Sequence, residues 1–375
     1  MQRVIISVTN DLSTDQRVDK VSNTLVKLGW DVTLVGRKKK DSLPLKKRKY
    51  KMKRMLLLFQ KGPFFYAEYN IRLFLYLLFH KVDLLVSNDL DTLLANHLAN
   101  KLKHISLVFD GHEYFPEVPE LQNRPKIKKI WLCLEKMLMP NVKTGYTVSD
   151  GIADIYNSKY GKDFKVVRNV PFLSKTDSIT GPPSLKLPNN KNVILYQGSL
   201  NMGRGLELAI EVMQYIDNAI LLIIGDGDIK QELIDYSIKL NLQNKIIFTG
   251  RIPLEKLKAY TQLGTIGITL EENLGLNYYY SLPNKFFDYI QAGLPVLISP
   301  FPETSKIIKK YNIGEAIEKC DVKHVAEKLN ELLRNKKKLE EYSSNAKIAA
   351  KELCWENEEK ILIKVYSKFR KSDGK

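Results

Sequence analysis

Short apolar runs alternate with segments of helical periodicity along nearly the whole chain. Apolar runs of about four to eight residues are typical of parallel strands that helices cover on both faces of a sheet. The predicted strands comprise residues 4–8, 31–35, 84–87, 106–109, 144–148, 193–196, 219–224, 245–249, 265–269 and 295–298. The alternation therefore predicts an α/β fold of doubly wound, Rossmann-like parallel sheets.

A polar segment at residues 174–191 interrupts this alternation. It is rich in Ser, Pro, Gly and Asn and has no periodicity, as expected of a linker. A chain of 375 residues is long enough for two domains. We predict an amino-terminal domain at 1–173, the linker, a carboxyl-terminal domain at 192–354, and a last helix within 355–375 that could pack back on the first domain.

The chain carries 59 Lys and Arg against 42 Asp and Glu, a formal net charge of +17. An excess of this size indicates anionic partners, namely phosphates, nucleic acid or an acidic membrane surface. Three widely spaced cysteines provide neither a disulfide framework nor a zinc pattern, which fits a reducing compartment.

The first apolar stretch is short and is followed at once by polar residues, so we predict no signal peptide. The apolar run at residues 73–79 is far shorter than the ~20 residues that span a bilayer. We therefore expect a cytoplasmic protein that is soluble or peripheral at the inner face of the cell membrane.

A glycine-bearing loop with one arginine follows the predicted strand at 193–196. Gly198, Gly203 and Gly205 would let backbone amides approach an anion. Arg204 would add a bidentate contact to a phosphate. The alternative is a structural turn beside a solvated arginine.

Two further loops begin at glycines after predicted strands. Gly225 opens a Gly-Asp-Gly-Asp sequence that lacks the third glycine of the dinucleotide fingerprint and also suits a tight turn. Asp226 and Asp228 have the spacing of a metal-binding pair, but we assign them to that turn and predict no metal site. Arg251 follows Gly250 in a loop that could hold a nucleobase through main-chain groups.

Residues 281–296 carry the densest pattern in the chain. Asn284 or Ser281 would cap a helix with an apolar stripe that stops at a glycine. The amides of its first turn and the Lys285 ammonium would converge on one anion. Asp288, one turn later on the same face, would accept hydrogen bonds from ribose hydroxyls. The alternative is a capped amphipathic helix with incidental charges.

In their order and spacing these segments resemble the glycosyltransferases of the GT-B fold, in the retaining family 4 group (glycosyl transferases group 1). The resemblance covers nearly the whole chain and implies two Rossmann-like domains facing a cleft. It implies a nucleoside-diphosphate sugar held mainly by the carboxyl-terminal domain and an acceptor held mainly by the amino-terminal one. The segments that carry it are Tyr196-Gln197-Gly198, Gly203-Arg204-Gly205, Gly225-Asp226-Gly227, Thr249-Gly250-Arg251, Pro283-Asn284-Lys285, Asp288-Tyr289 and Ala292-Gly293-Leu294-Pro295-Val296.

The resemblance also implies roles for individual residues that match the family's motifs. Arg204 matches the basic residue that contacts the donor diphosphate. Asp288 matches the second acid of the Glu-x7-Glu signature, which contacts the ribose. His112, in a loop after the strand at 106–109, matches the histidine that contacts the donor sugar near the reacting centre. From the local sequence alone, the alternative for His112 is a satisfied surface or core histidine.

The sequence also departs from the family pattern. Tyr280 stands where the first acid of the signature is expected, and Glu272, one of two adjacent acids upstream, resembles that acid displaced by an insertion. Ser199 stands in place of the family's first arginine, and Lys285 would supply the missing charge.

Polar loops in the amino-terminal half are candidates for the acceptor site. They follow predicted strands at residues 10–17 and 87–91, and the loops at 147–151 and 168–171 are placed similarly. For the first of them the alternative is simple helix capping by Ser13 or Thr14.

Residues 37–54 contain eleven Lys or Arg and a single acid, and apolar and aromatic residues follow them. This combination suits an anionic bilayer surface, and a solvated loop is the alternative. Because the acceptor is expected in the amino-terminal half, this basic and apolar segment favours a lipid-linked or membrane-presented acceptor.

The resemblance implies a hexosyltransferase-type, metal-independent enzyme that transfers a sugar with retained configuration, in cell-surface polysaccharide or glycolipid synthesis. We expect no cofactor besides the donor, which would be UDP- or GDP-linked. Two alternatives stay open. One is a nucleotide-sugar 2-epimerase of the same fold. The other is a non-enzymatic nucleic-acid-binding protein, which charge alone suggests and no recognition motif supports.

Overall fold

The computed structural model describes residues 1–13, 15–40, 42–173, 185, 187–188 and 190–370. They form two compact units, the first comprising Met1–Arg168 with Glu358–Lys375 and the second comprising Asn169–Asn357. The boundary between the two units thus lies between residues 168 and 169, whereas the sequence suggested that the first domain ends at residue 173. Most of the predicted linker, residues 174–191, lies outside the described residues.

The first unit contains a parallel sheet flanked by helices. Its strands, among the described residues, are β1 Arg3–Ser7, β2 Asp31–Arg37, β3 Lys51–Met55, β4 Leu84–Asn88, β5 Ser106–Gly111, β6 Thr144–Thr147 and β7 Lys165–Val166. Its helices are α1 Gln16–Lys27, α2 Gly62–Phe79, α3 Asp89–Lys103, α4 Pro119–Gln122, α5 Pro125–Leu138 and α6 Asp150–Tyr160.

The second unit repeats this architecture. Its described strands are β8 Asn192–Gln197, β9 Ala219–Ile224, β10 Ile246–Gly250, β11 Ile266–Thr269, β12 Val296–Ile298 and β13 Gly314–Ala316. Its helices are α7 Leu206–Val212, α8 Lys230–Lys239, α9 Leu254–Thr261, α10 Leu276–Tyr279, α11 Asn284–Ala292, α12 Pro302–Tyr311, α13 Val322–Arg334 and α14 Lys336–Glu352, and a last helix, α15 Trp355–Ser367, follows.

Both sheets are doubly wound, as the sequence predicts. The strand orders are β3-β2-β1-β4-β5-β6-β7 and β10-β9-β8-β11-β12-β13, and every strand pair is parallel. The central strands β4 and β9 are buried at every residue, as expected where helices cover both faces. In each sheet the order reverses beside the first strand, between β1 and β4 and between β8 and β11. Such reversal points open crevices at the carboxyl ends of the strands.

Helix α15 contributes its residues from Glu358 onward to the first unit. Glu359 accepts hydrogen bonds from the Thr24 hydroxyl at 2.7 Å and from Lys27 Nζ at 2.8 Å. The hydroxyl groups of Tyr146 and Tyr366 lie 3.0 Å apart in the interior. The chain thus enters the first unit a second time at its carboxyl-terminal end.

Three strands were not predicted from the sequence, and each is short or polar. β3 lies inside the basic run and pairs with β2 from Thr33 opposite Lys51 to Arg37 opposite Met55. Lysines are common on edge strands because they discourage pairing with another chain. β7 and β13 have two and three residues and lack an apolar run.

Helix α1 begins at Gln16, and the alternative of capping by Ser13 or Thr14 is wrong. Asp15 is the N-cap, and its side chain accepts a hydrogen bond from the Val18 amide. Thr14 lies outside the described residues. Across those residues, no helix combines the length and the apolar composition needed to cross a bilayer.

Candidate functional site

In the second unit, the loops that follow β8 and β11 bring together residues that are distant in sequence. β8 and β11 are neighbours in the sheet, paired at Ile194 with Ile266. The loop after β8 carries Arg204, and the residues after β11 include Glu271. Both loops therefore start at the same edge of the sheet, at its reversal point.

Arg204 and Lys285 converge on a single buried carboxylate oxygen. Lys285 Nζ lies 2.7 Å from Glu271 Oε1, and Arg204 Nη1 lies 4.0 Å from the same atom. The Lys285 and Glu271 side chains are 7% and 3% exposed, whereas that of Arg204 is 25% exposed. Two cations against one carboxylate leave these three residues with a net charge of +1. We call this group the cation cluster.

Aromatic rings support both cations of the cation cluster. Lys285 Nζ lies 4.3 Å from the centre of the Tyr196 ring, at the end of β8. The Arg204 guanidinium lies 4.7 Å from the centre of the Tyr278 ring, in α10. The negative face of an aromatic ring attracts a cation, so these rings help to hold the positive charges away from bulk water.

Asp288 is held by Gln197, the last residue of β8. Gln197 Nε2 donates to Asp288 Oδ2 at 2.9 Å, and Gln197 Oε1 accepts from the Thr261 hydroxyl at 2.6 Å. The Tyr289 hydroxyl accepts from the Gln197 amide at 3.0 Å. Asp288 is therefore fixed beside the end of β8, one helical turn from Lys285.

The glycines of the predicted loops adopt backbone conformations that a side chain would disturb. Gly198, Gly203, Gly205 and Gly225 all have positive φ, at +142°, +77°, +67° and +150°. A Cβ on Gly205 would lie 1.9 Å from the Leu270 carbonyl oxygen, and one on Gly225 would lie 1.8 Å from that of Gly198. Only glycine lets these chain segments approach so closely.

Three other predicted residues lie outside the cation cluster. Glu272 is exposed, and partial desolvation and the nearby Glu207 carboxylate raise its pKa. Arg251 is exposed after β10. Asn284 is exposed, and its Oδ1 accepts from Asn169 Nδ2 at 2.9 Å.

The proposed capping of α11 by Asn284 or Ser281 is wrong. Pro283 is the N-cap, and α11 has no side-chain cap. The Ser281 hydroxyl instead donates to the Tyr278 carbonyl at 2.9 Å. Pro283 has an extended backbone and no side-chain acceptor, so the first amides of α11 receive no side-chain cap.

The Asp226 region forms a turn, as we interpreted it from the sequence. Asp226 Oδ1 accepts from the Gly227 amide at 3.1 Å and lies 3.5 Å from Lys230 Nζ. The Asp228 amide donates to Asn201 Oδ1 at 3.3 Å. Throughout the described part of the chain, no group of three or more His, Cys, Asp or Glu side chains is arranged to hold a metal ion.

In the first unit, His112 lies between two carboxylates at the carboxyl ends of β4 and β5. Its Nε2 is 3.3 Å from Asp110 Oδ2, and its Nδ1 is 3.7 Å from Asp89 Oδ2. The His112 amide also donates to Asp89 Oδ1 at 2.7 Å. Arg17 completes the group with an ion pair of 2.7 Å to Asp110, and both of these side chains are almost fully buried. We call these four residues the histidine cluster.

These contacts keep the His112 ring protonated. Burial opposes the charge, but Asp110 and Asp89 outweigh it and raise the pKa of His112 to about 9. Burial likewise opposes ionisation of Asp110, yet Arg17 and His112 hold the pKa of that carboxyl at about 2. At neutral pH the His112 imidazolium and the Asp110 carboxylate therefore carry opposite charges.

The loop at residues 87–91 supplies a further acid. Burial and the Asp89 carboxylate raise the pKa of Asp91 to about 8, and Asp91 Oδ2 accepts from the Thr9 hydroxyl at 2.5 Å. Asp89 itself has a φ of +56°, an unusual value for a residue with a side chain. Its position after β4 lets it reach the amides of the loop after β5.

The residues that hold Arg204, Lys285 and His112 in place were not predicted from the sequence. Glu271 was set aside in favour of its neighbour Glu272, and Arg17 was treated as part of a polar loop. Glu271 is buried two residues after the end of β11, whereas its neighbour Glu272 is exposed, and no local pattern in the sequence distinguishes the two acids.

In the basic run at residues 37–54, the arginines mainly serve the fold. Arg54 forms an ion pair of 2.7 Å with Asp11, and both side chains are 10% exposed. The Arg37 guanidinium lies 4.3 Å from the centre of the Phe65 ring. Arg48 lies 3.3 Å from Asp19. The exposed charge of the run consists of lysines, among them Lys38, Lys39, Lys40, Lys46 and Lys47.

Two family models match the chain, one in each half. The model described as Glycosyltransferase Family 4 matches residues 15–170, and the model described as Glycosyl transferases group 1 matches residues 178–349. An uncharacterized glycosyltransferase of Methanocaldococcus jannaschii is 26% identical over 168 residues, which cover 44% of this chain. The match spans only 40% of that relative's own length.

Solved structures share the fold at low identity. Sucrose-phosphate synthase from Thermosynechococcus elongatus has a TM-score of 0.79 at 16% identity, covering 98% of this chain and 99% of that one. Anabaena HepE, in a complex with UDP-glucose, has a TM-score of 0.74 at 12% identity, covering 98% of this chain and 100% of that one. At these identities the likeness concerns the architecture.

Proposed function

The chain belongs to the GT-B glycosyltransferases, and we propose that it transfers a sugar from a nucleoside-diphosphate sugar to an acceptor hydroxyl with retention of configuration. The convergence of Arg204 and Lys285 in the cation cluster carries this proposal. When the sugar leaves the donor, negative charge develops on the diphosphate. Preorganised cations in a partly desolvated site stabilise such charge strongly.

The two cations have different parts in this proposal. Lys285 is buried and paired with Glu271 at 2.7 Å, whereas the Arg204 side chain is 25% exposed and therefore accessible to a ligand. We therefore assign the direct contact with the diphosphate to Arg204. The amides of the glycine loops and of the first turn of α11 would add further donors.

We assign roles to the other predicted residues from their surroundings and from the family resemblance. Asp288, fixed by Gln197, would accept hydrogen bonds from the ribose hydroxyls, and the loops of Gly225 and Arg251 would hold the nucleobase. His112, as the family resemblance implies, would contact the donor sugar.

We propose that the reaction needs no metal ion and no cofactor besides the donor. The chain itself supplies the positive charge that a divalent cation would otherwise provide. Turnover measured with and without EDTA, and with added Mg²⁺ or Mn²⁺, tests this. A loss of activity in EDTA that Mn²⁺ restores would contradict it.

For the acceptor we propose a lipid-linked molecule presented at the inner face of the cell membrane, as in cell-surface polysaccharide or glycolipid synthesis. The exposed lysines of residues 37–54 support this, because each basic residue near an anionic surface contributes about 1 kcal/mol. Co-sedimentation with vesicles that contain or lack phosphatidylglycerol measures this attraction. Equal binding to both kinds of vesicle would contradict the proposed attraction to an anionic membrane.

The first experiment is thermal-shift screening against UDP, GDP, ADP and CMP sugars, beginning with UDP-glucose because of the HepE complex. A bound donor stabilises the folded state by mass action. Arg204→Ala should lose the shift, and Arg334→Ala, which removes an exposed arginine at the end of α13, should keep it. An unchanged shift in Arg204→Ala would refute the donor assignment. Incubation of the donor without acceptor separates transfer from epimerisation, because only an epimerase alters the donor sugar.

A further inference from the structure

A cavity of 830 Å³ lies between helices α2, α3 and α5 of the first unit. This volume is in the range of small-molecule pockets. Most of its wall is apolar, with side chains from each of the three helices, including Ile71, Phe74, Leu94, Leu98, Ile127 and Trp131. We call this cavity the chain groove.

One end of the chain groove is acidic. Burial and the carboxylates of Asp91, Glu120 and Glu113 outweigh the opposing effect of Arg37 and raise the pKa of Tyr66 to about 12. Tyr66 and the three acids line the groove. Carboxyl groups and a phenol are hydrogen-bonding partners for hydroxyl groups.

The acidic end is continuous with the histidine cluster. The Glu113 amide donates to Asp89 Oδ1 at 3.2 Å, and the His112 amide donates to the same atom at 2.7 Å. A molecule that lies along the groove would therefore place its polar end beside the residues at the carboxyl ends of β4 and β5.

The rim of the groove is apolar and flanked by positive charge. Ile71, Leu75 and Ile130 line it and are 60%, 45% and 59% exposed. On α5 the exposed charged side chains include Lys126, Lys129 and Lys136. Exposed apolar residues beside lysines are complementary to the surface of an anionic bilayer.

We propose that the chain groove binds the aliphatic chain of a lipid-linked acceptor, with the hydroxyl-bearing headgroup at the acidic end. The groove follows α2 from Gly62 to Leu75, roughly 20 Å at the helical rise per residue. The length of the groove exceeds the depth of one leaflet, about 15 Å of hydrocarbon. The groove can therefore hold, outside the bilayer, an aliphatic chain as long as one leaflet is deep. The inference rests on the lipid-linked acceptor in the proposed function and names where that lipid binds.

The test uses a maltoside with a bromine-terminated undecyl chain, below its micelle-forming concentration. Bromine quenches tryptophan fluorescence on contact, and Trp131 lines the groove while Trp30 and Trp355 are buried elsewhere. We expect saturable quenching that disappears in Trp131→Phe. Each methylene removed from the chain should weaken binding by about fourfold.

A matched pair of variants separates the groove from unspecific binding. Ala67 lines the groove and is exposed, so Ala67→Phe fills it without disturbing the core and should weaken binding at least tenfold. Ser158→Phe adds the same ring at an exposed site on α6 outside the groove and should leave binding unchanged. Equal binding by both variants, or quenching that survives in Trp131→Phe, would overturn the proposal.

The thermal shift with UDP-glucose, measured on the same preparations, keeps the two proposals apart. Donor stabilisation without saturable quenching overturns the chain groove and leaves the transferase proposal standing. Quenching without stabilisation by any nucleotide sugar contradicts the donor site instead.

Discussion

Arg204 and Lys285 approach the same atom, Glu271 Oε1, one at 4.0 Å and the other at 2.7 Å. The shorter contact is buried and the longer one is partly open to solvent. This asymmetry separates a cation buried against the carboxylate from one whose side chain is 25% exposed. It predicts that the two cations respond differently to substitution.

Arg204→Ala should lower kcat by roughly 10²–10³-fold, as the loss of a transition-state donor does, with little change in stability. Lys285→Ala should lower kcat and also reduce the free energy of unfolding by about 3–5 kcal/mol, because the Glu271 carboxylate loses its close partner in the interior. Steady-state kinetics and urea denaturation measure the two effects. Arg334→Ala is the control, and equal stability losses in the Arg204 and Lys285 variants would contradict the asymmetry.

Glu271→Gln should bind UDP more tightly than the unchanged protein. Removing the carboxylate leaves both cations available to the diphosphate, and we expect a gain of about tenfold, or about 1.4 kcal/mol. Isothermal titration at low salt measures the affinity. Glu272→Gln, at the exposed acid next in sequence, should change it little. Weaker UDP binding by Glu271→Gln would show that the carboxylate positions the cations rather than competing for them.

Asp89→Asn should lower the pKa of His112 from about 9, because it removes one of the two carboxylates beside the ring. Asparagine tolerates the positive φ at this position, and its Oδ1 still accepts from the His112 amide. Histidine NMR titration gives the pKa directly, and the chain has only five histidines to assign. Asp154→Asn, at an exposed site on α6, is the control. A His112 pKa that stays near 9 would mean that Asp110 alone determines it.

The stability of the first unit should fall as the pH rises between about 6.5 and about 9. In the folded protein His112 keeps its proton up to about pH 9, whereas in the unfolded protein it keeps the proton only up to about pH 6.5. Its ion pairs therefore contribute their full stabilisation of the folded state below about pH 6.5. Their contribution disappears as the pH passes the folded value, with a slope of at most about 1.4 kcal/mol per pH unit. Urea denaturation followed by fluorescence reports this, since two of the three tryptophans, Trp30 and Trp131, lie in the first unit. His112→Gln should flatten the profile, and an equally steep profile in that variant would assign the slope to Asp91.

The doubly wound sheets were predictable because their signal is local. Each buried strand reads as a short apolar run, and β9, which is buried at every residue, is the clearest case. β3 was missed for the converse reason, since a strand of lysines, methionines and an arginine has no apolar pattern. Only its pairing with β2 makes it a strand.

The sequence alone determined the α/β class and the family, because strand runs and the glycine, arginine and helix-start patterns lie within a few consecutive residues. Tertiary structure decided which charges meet. Glu271 rather than Glu272 joins Arg204 and Lys285, and Arg17 crosses to Asp110 beside His112. Such pairings depend on which strands are neighbours and on which side of each backbone a side chain leaves it. These are properties of the assembled sheet that no local segment contains.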